Sequence, residues 1–150
     1  MAGITLQKKT VLVVEDELSD QFLLQRAFGQ INQEEFALHV VKTAEDAICY
    51  LQGSEPYQER AVYPLPVLIV LDLRLPGMSG LDLLKWVKKQ PQFNDLPIIA
   101  LTAFGNRDLP RAYDLGIDFY LLKPVEANTL AEVLSGLGIY THGAEKSENS

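Results

Sequence analysis

A chain of 150 residues with 47% hydrophobic content has the apolar mass for one core of ordinary size without disulfides or a structural metal. Its formal net charge of −7 works against nucleic-acid binding, which relies on clustered Lys and Arg, and its lone Cys49 cannot form an intramolecular disulfide. No apolar stretch approaches the roughly 18 residues of a membrane span and no signal-peptide core is visible, so a cytoplasmic domain without nucleic-acid or membrane partners is expected.

Short runs of β-branched and aliphatic residues without alternation mark strands covered on both faces, as in a parallel sheet. Val11 to Val14 is the first such run, after a polar lead over residues 1–9. A helix follows, capped by Ser19 or Asp20, with Phe22, Leu23, Ala27 and Phe28 at helical spacing and Gly29 weakening it near its end. Phe36 to Val41 reads as a second strand and Ala44 to Leu51 as a second helix, with Cys49 a small buried hydrophobe and Gly53-Ser54 the stop. Residues 53–66 carry three prolines, Tyr57 and Tyr63, a composition that predicts an extended loop rather than a domain boundary.

Val67 to Leu71 is the third strand and Leu81 to Lys89 the helix after it, whose Lys85, Lys88 and Lys89 form a solvated face rather than a nucleic-acid patch. Ile98 to Leu101 is the fourth strand, and Gly116 ends a helix around Leu109 to Leu115. Phe119 to Leu122 supplies the fifth strand, and Glu126 to Leu134 a closing helix. Five βα units place one domain at residues 10–137, followed by a flexible polar tail over 138–150.

Several strands end on a group with chemistry to offer: Glu15-Asp16 after the first, Asp72 after the third, Thr102 after the fourth and Lys123-Pro124 after the fifth. In open α/β sheets ligands bind at the carboxyl edge, so distant acids, a hydroxyl and an ammonium are predicted to converge there. Carboxylates packed together repel unless a cation or a raised pKa relieves them, and magnesium takes one or two carboxylates while keeping several waters. Glu15, Asp16 and Asp72 suit that ion. Lys123 would pair with Asp72 at rest and with a phosphoryl group after transfer. A cis peptide before Pro124 would turn the chain sharply and fix the lysine's direction. Thr102 would offer its hydroxyl to a phosphoryl oxygen, whereas His39 and His142 read as incidental.

The segments VLVVEDE, LIVLDLRLPGMSG, PIIALTA and RAYDLGIDFYLLKP, in this order, resemble the receiver domain of bacterial two-component response regulators over about Thr10 to Leu137. The resemblance implies a flavodoxin-like, doubly wound (βα)5 α/β fold with a five-stranded parallel sheet of order 2-1-3-4-5. It also implies Asp72 as phosphoacceptor, Asp16 and Asp72 as magnesium ligands, Glu15 as a ligand directly or through water, and the Arg74 backbone carbonyl as a further one. Lys123, Thr102 and the Ala103 N–H would hold the phosphoryl oxygens. Tyr120, three residues before Lys123, matches the aromatic of the rotamer switch, while Arg74 and Phe104 occupy the positions that tune autodephosphorylation.

The donor implied is a sensor histidine kinase or phosphotransfer protein, and the output an unknown protein target or a homodimer through the switch surface. The polar residues after the closing helix suggest a receiver that stands alone, and the long segment 53–66 resembles single-domain regulators that serve phytochrome-type and other kinases. A pseudo-receiver that binds partners without phosphotransfer is the main rival. A dehalogenase-like enzyme would want a second acid where Arg74 stands, and a flavodoxin-like nucleotide binder would want a phosphate loop after the first strand.

Overall fold

The computed structural model describes residues 7–140. His142 and most of the expected lead and tail lie outside the described residues. The elements alternate as β1 (Lys9–Val14), α1 (Leu18–Asn32), β2 (Phe36–Val41), α2 (Ala44–Gln52), β3 (Leu68–Asp72), α3 (Gly80–Lys89), β4 (Ile98–Thr102), α4 (Leu109–Leu115), β5 (Phe119–Leu122) and α5 (Ala127–Gly136). All strand pairings are parallel, in the order β2-β1-β3-β4-β5.

β1, β3 and β4 are hydrophobic on both faces because helices cover both. Leu12, Val14, Ile69, Leu71, Ile98 and Ala100 pack into the core beneath α2, α3 and α4. Their alternates Val11, Val13, Leu68, Val70, Ile99 and Leu101 pack into the second core with α1 and α5. This double winding leaves the carboxyl ends of the strands open between the two helical layers.

Two expectations for α1 fail. The helix begins at Leu18 with Glu17 at the N-cap and no side-chain cap bond, so Ser19 and Asp20 lie inside the first turn. Asp20 is instead drawn to an ammonium, as described below, and a charged partner outcompetes a cap hydrogen bond. Phe22 is 61% exposed, because the buried stripe is Leu24, Ala27 and Phe28. At about 100° per residue, Phe22 is turned roughly 200° from Leu24 and leaves the stripe. Gly29 does not end the helix, which runs three residues further, to Asn32.

The other helices have local reasons for their limits. The Thr43 hydroxyl accepts from Asp46 N–H at 3.0 Å at the start of α2, and the Ser79 hydroxyl accepts from Asp82 N–H at 3.1 Å at the start of α3. Gly53 closes α2 with φ 71°, a left-handed conformation that glycine adopts without strain. Cys49 is half-buried rather than fully enclosed.

Residues 53–67 form no helix or strand, yet the segment is tied down. Arg60 donates from Nη1 to the carbonyls of Tyr50 (2.8 Å) and Tyr63 (3.1 Å) and from Nη2 to that of Leu51 (2.8 Å), binding the loop to the end of α2. Tyr50 donates its hydroxyl to Pro64 O at 2.8 Å. The Tyr50, Tyr57 and Tyr63 rings pack together with centroids 5.1–5.9 Å apart, and His39 lies against Tyr50 and Tyr63.

Candidate functional site

Parallel register brings the strand-end residues level. Val14 pairs with Leu71, so Glu15 follows β1 beside Asp72 at the end of β3. Asp72 in turn faces Leu101, and Thr102 faces Leu122. Residues distant in sequence therefore meet in one crevice of about 560 Å³, lined by Asp16, Asp72, Arg74, Ala103 and Lys123 among others.

Lys123 bridges the acids. Its Nζ lies 2.8 Å from Glu15 Oε1, 2.9 Å from Asp20 Oδ2 and 3.1 Å from Asp72 Oδ2. The peptide bond between Lys123 and Pro124 is cis, as is that between Glu55 and Pro56. Asp72 is only 3% exposed, and its second oxygen, Oδ1, accepts from Arg74 N–H at 2.9 Å. Glu15 is fully buried; its Oε2 accepts from Glu17 N–H at 3.1 Å, while its Oε1 has the lysine contact but no hydrogen bond of good geometry.

Burial pushes the Glu15 carboxyl up to about 7, against the downward pull of Lys123 and the Glu17 N–H, with Asp72 adding to the rise. For Lys123 burial works to lower the pKa, but Glu15, Asp20 and Asp72 together outweigh it and hold the ammonium above its ordinary value. The lysine is thus charged at any physiological pH.

Glu15, Asp16 and Asp72 each offer a carboxylate oxygen within 4.8 Å of the others, and they could hold a metal ion. The donor set is all oxygen, which suits a hard cation, and the buried Oε1 of Glu15 without a well-aligned hydrogen bond is an acceptor that a cation would satisfy.

The remaining predicted residues surround this centre. Thr102 is buried at the end of β4 and donates its hydroxyl to Ala103 O at 3.2 Å, so it is engaged locally rather than with Asp72. Ala103 lines both the crevice and an adjoining cavity of about 430 Å³ that Arg74, Phe104 and Arg107 help to form. Phe104 is 92% exposed. Tyr120 is turned outward, 40% exposed, with its ring edge-on to Tyr113 at 6.3 Å.

Sequence reasoning missed Asp20. Its signal was available: it lies four residues after Asp16, one turn into the helix that leaves the acid pair. Gly80 was also missed. It starts α3 so close to the end of β3 that a Cβ there would lie 2.7 Å from Asp72 O and 2.9 Å from Leu73 Cα.

A parallel sheet of order 2-1-3-4-5 with an acidic, lysine-bridged crevice at its carboxyl edge defines a flavodoxin-like α/β domain built for a small anionic or cationic group. The family model described as the response regulator receiver domain matches residues 11–135, and the chain belongs to that family. Such domains are signalling switches of two-component systems rather than classical enzymes. Response regulator Rcp1 of Synechocystis sp. is 29% identical over 130 residues, which span 86% of this chain and 86% of Rcp1. The bacteriophytochrome response regulator RtBRR superposes with a TM-score of 0.79 at 30% identity, covering 90% of this chain and 81% of its own. The Mn(2+)-bound form of Rcp1 superposes with a TM-score of 0.70 at 28% identity, covering 88% and 93%. No helix among the described residues is long and apolar enough to cross a membrane.

Proposed function

We propose that this chain is a response regulator that accepts a phosphoryl group on Asp72 from a sensor histidine kinase or a phosphotransfer protein. The observation that carries the reading is the position of Asp72, nearly enclosed, with Lys123 at 3.1 Å and the Glu15 and Asp16 carboxylates beside it. A carboxylate is already ionised and nucleophilic at neutral pH, so the crevice needs no histidine or cysteine as base. An Asp72 oxygen bonds to phosphorus as the phosphorus–nitrogen bond of the donor breaks, and the electron pair of that bond stays on the imidazole. The Lys123 ammonium faces the charge that spreads over the equatorial oxygens.

Magnesium is the cation we assign; Asp16, Asp72 and the Arg74 backbone carbonyl would hold it, with Glu15 bound directly or through water. When bound, it neutralises charge on the phosphoryl oxygens. The similar Rcp1 has an Mn(2+)-bound form, which supports a divalent ion as a ligand of this chain. Slow hydrolysis of the acyl phosphate then resets the switch.

The phosphoryl group carries about −1.5 to −2 of charge in place of the carboxylate's single charge and brings new acceptor oxygens. The Thr102 hydroxyl, bonded at rest to Ala103 O, would leave that carbonyl for a phosphoryl oxygen, with the Ala103 N–H as a second donor. Tyr120 would turn from its outward position into the space that Thr102 vacates. That changes the face formed by α4, β5 and α5, where Phe119, Leu122 and Tyr113 are also exposed, and a downstream protein or a second copy of the chain would read it. We assign the receiver unit to residues 10–137, with a lead at 1–9 and a polar tail at 138–150, and place its action in the cytoplasm, where kinase donors are charged from ATP.

The test is intact-protein mass after incubation with magnesium and acetyl phosphate. Wild type should gain one phosphoryl group and Asp72→Asn none. An equal gain in mass by both proteins, or a gain by neither, would end the phosphoacceptor reading.

A further inference from the structure

We propose that Asp20 is a positioning residue that keeps Lys123 in the crevice through the phosphorylation cycle. The inference rests on the phosphoacceptor reading of Asp72. An ammonium has three N–H donors, and here three carboxylates surround it: Glu15 at 2.8 Å, Asp20 at 2.9 Å and Asp72 at 3.1 Å. They do not have the same fate. Asp72 becomes an acyl phosphate and loses its carboxylate charge. Glu15 belongs to the cluster that could hold a cation, and it leaves the lysine to the extent that it turns toward one.

Asp20 stands outside that cluster. It comes from the first turn of α1, not from the edge of the sheet, so its position is set by a helix already packed through Leu24, Ala27 and Phe28. Its side chain is 26% exposed against 0% for Glu15, so water reaches it beside the ammonium. Asp20 is therefore the partner that persists when the other two are taken. Lysine has a flexible four-carbon stem, and the Lys123 side chain is 21% exposed; the second anchor keeps its ammonium from swinging out into water and holds a donor ready for a phosphoryl oxygen.

The role acts through Lys123, so the test is a double-mutant cycle. Phosphorylation by acetyl phosphate at saturating magnesium is followed by intact mass in wild type, Asp20→Ala, Asp20→Glu, Lys123→Ala and the double variant Asp20→Ala/Lys123→Ala. Asp20→Ala should slow transfer by about 10-fold, Asp20→Glu should restore most of the rate, and Asp20→Ala should change the rate by less than about 2-fold when Lys123 is already absent. The magnesium midpoint should move less than about 2-fold, since Asp20 is not placed among the metal ligands.

A readout without donor or metal accompanies these rates. The Lys123 ammonium should give a slowly exchanging nitrogen–proton NMR signal in wild type and in Asp20→Glu, and exchange faster with solvent in Asp20→Ala, where only Glu15 and Asp72 remain as its partners at rest. An Asp20→Ala protein that phosphorylates at the wild-type rate overturns the proposal, as does a loss that persists undiminished without Lys123. A wild type that takes up no phosphoryl group brings down the phosphoacceptor reading and this one with it. A phosphorylated wild type with an unimpaired Asp20→Ala brings down this one alone.

Discussion

Gly80 and Asp72 are in closer main-chain contact than any other residue type would permit at position 80. A Cβ built on Gly80 lies 2.7 Å from Asp72 O and 2.9 Å from Leu73 Cα, and both obstacles are backbone. The start of α3 is thereby pressed against the end of the strand that carries the candidate acceptor. Gly80→Ala must separate the two elements, with a cost of about 1–3 kcal/mol, the range for overpacking a filled site. Chemical denaturation should show a lower midpoint at unchanged slope. Because the displaced backbone is that of Asp72, phosphorylation by acetyl phosphate should slow as well; a destabilised variant with the wild-type rate would show that the contact serves folding alone.

Arg74 lines both the crevice and the adjoining cavity, Phe104 lines that cavity, and both are exposed. Attack of water on the acyl phosphate needs access to phosphorus and a polar group to orient it. A bulky Arg74 would obstruct the first and an apolar Phe104 would fail to supply the second, so the phosphoryl form should be long-lived. Arg74→Asn combined with Phe104→Gln should hasten its decay by about 10-fold, or roughly 1.4 kcal/mol off the barrier. Decay is followed by mass after donor removal. No acceleration in the double variant would place the control of lifetime elsewhere.

The aromatic cluster predicts stability that falls at both ends of the pH scale. Burial pushes the Tyr50 phenol up to about 12 from 10.0, so the folded protein holds its proton more tightly than the unfolded chain. The unfolded state then binds fewer protons between pH 10 and 12, and stability contributed by neutral Tyr50 is intact below pH 10 and lost as pH rises through 12. A rise of that size is worth about 3 kcal/mol. Burial lowers the pKa of His39 from 6.5, so there the unfolded state binds more protons and stability falls as pH drops below 6.5. Glu15, pushed up to about 7 from 4.5, acts in the opposite sense below pH 7, so the histidine limb is read as the difference between wild type and His39→Gln. Denaturation midpoints should fall between pH 10 and 12, and Tyr50→Phe should lessen that fall.

The sheet and its acids were readable because each central strand is a continuous apolar run and each functional residue is the first polar one after it, as with Val14 before Glu15 and Leu71 before Asp72. Periodicity could not give the strand order, which came by resemblance and is present in the structure. It was least informative for α1. There a local rule, acid near a helix start means cap, gave way to a contact across 103 residues between Lys123 and Asp20. The loop was legible as lacking helix and strand over 53–66, with Val67 expected in a strand that in fact starts at Leu68, but not as ordered, since its order depends on one guanidinium reaching carbonyls at the end of α2. Gly80 needed coordinates, because only the approach of two backbones distinguishes it from any glycine near a helix start.

The misplacement of Phe22 leads to a last expectation. Leu18 and Phe22 are 69% and 61% exposed and lie one turn apart on the same face of α1. Two large apolar side chains side by side in water mark a contact surface more than isolated ones do. Leu18 opens the helix two residues after the acid Asp16, so a protein docked over this face would reach the crevice end of α1, on the side turned away from Asp20. Phe22→Ser should weaken phosphotransfer from a phosphorylated histidine-phosphotransfer domain that recognises the wild type by about 10-fold, in line with the loss of a buried aromatic at an interface. Stability should change by less than about 0.5 kcal/mol, since nothing in the core is touched. Phosphorylation by acetyl phosphate, which needs no docking, should be unaltered. If both donors slow together, Phe22 acts on the crevice itself; if neither does, the donor protein docks on another face.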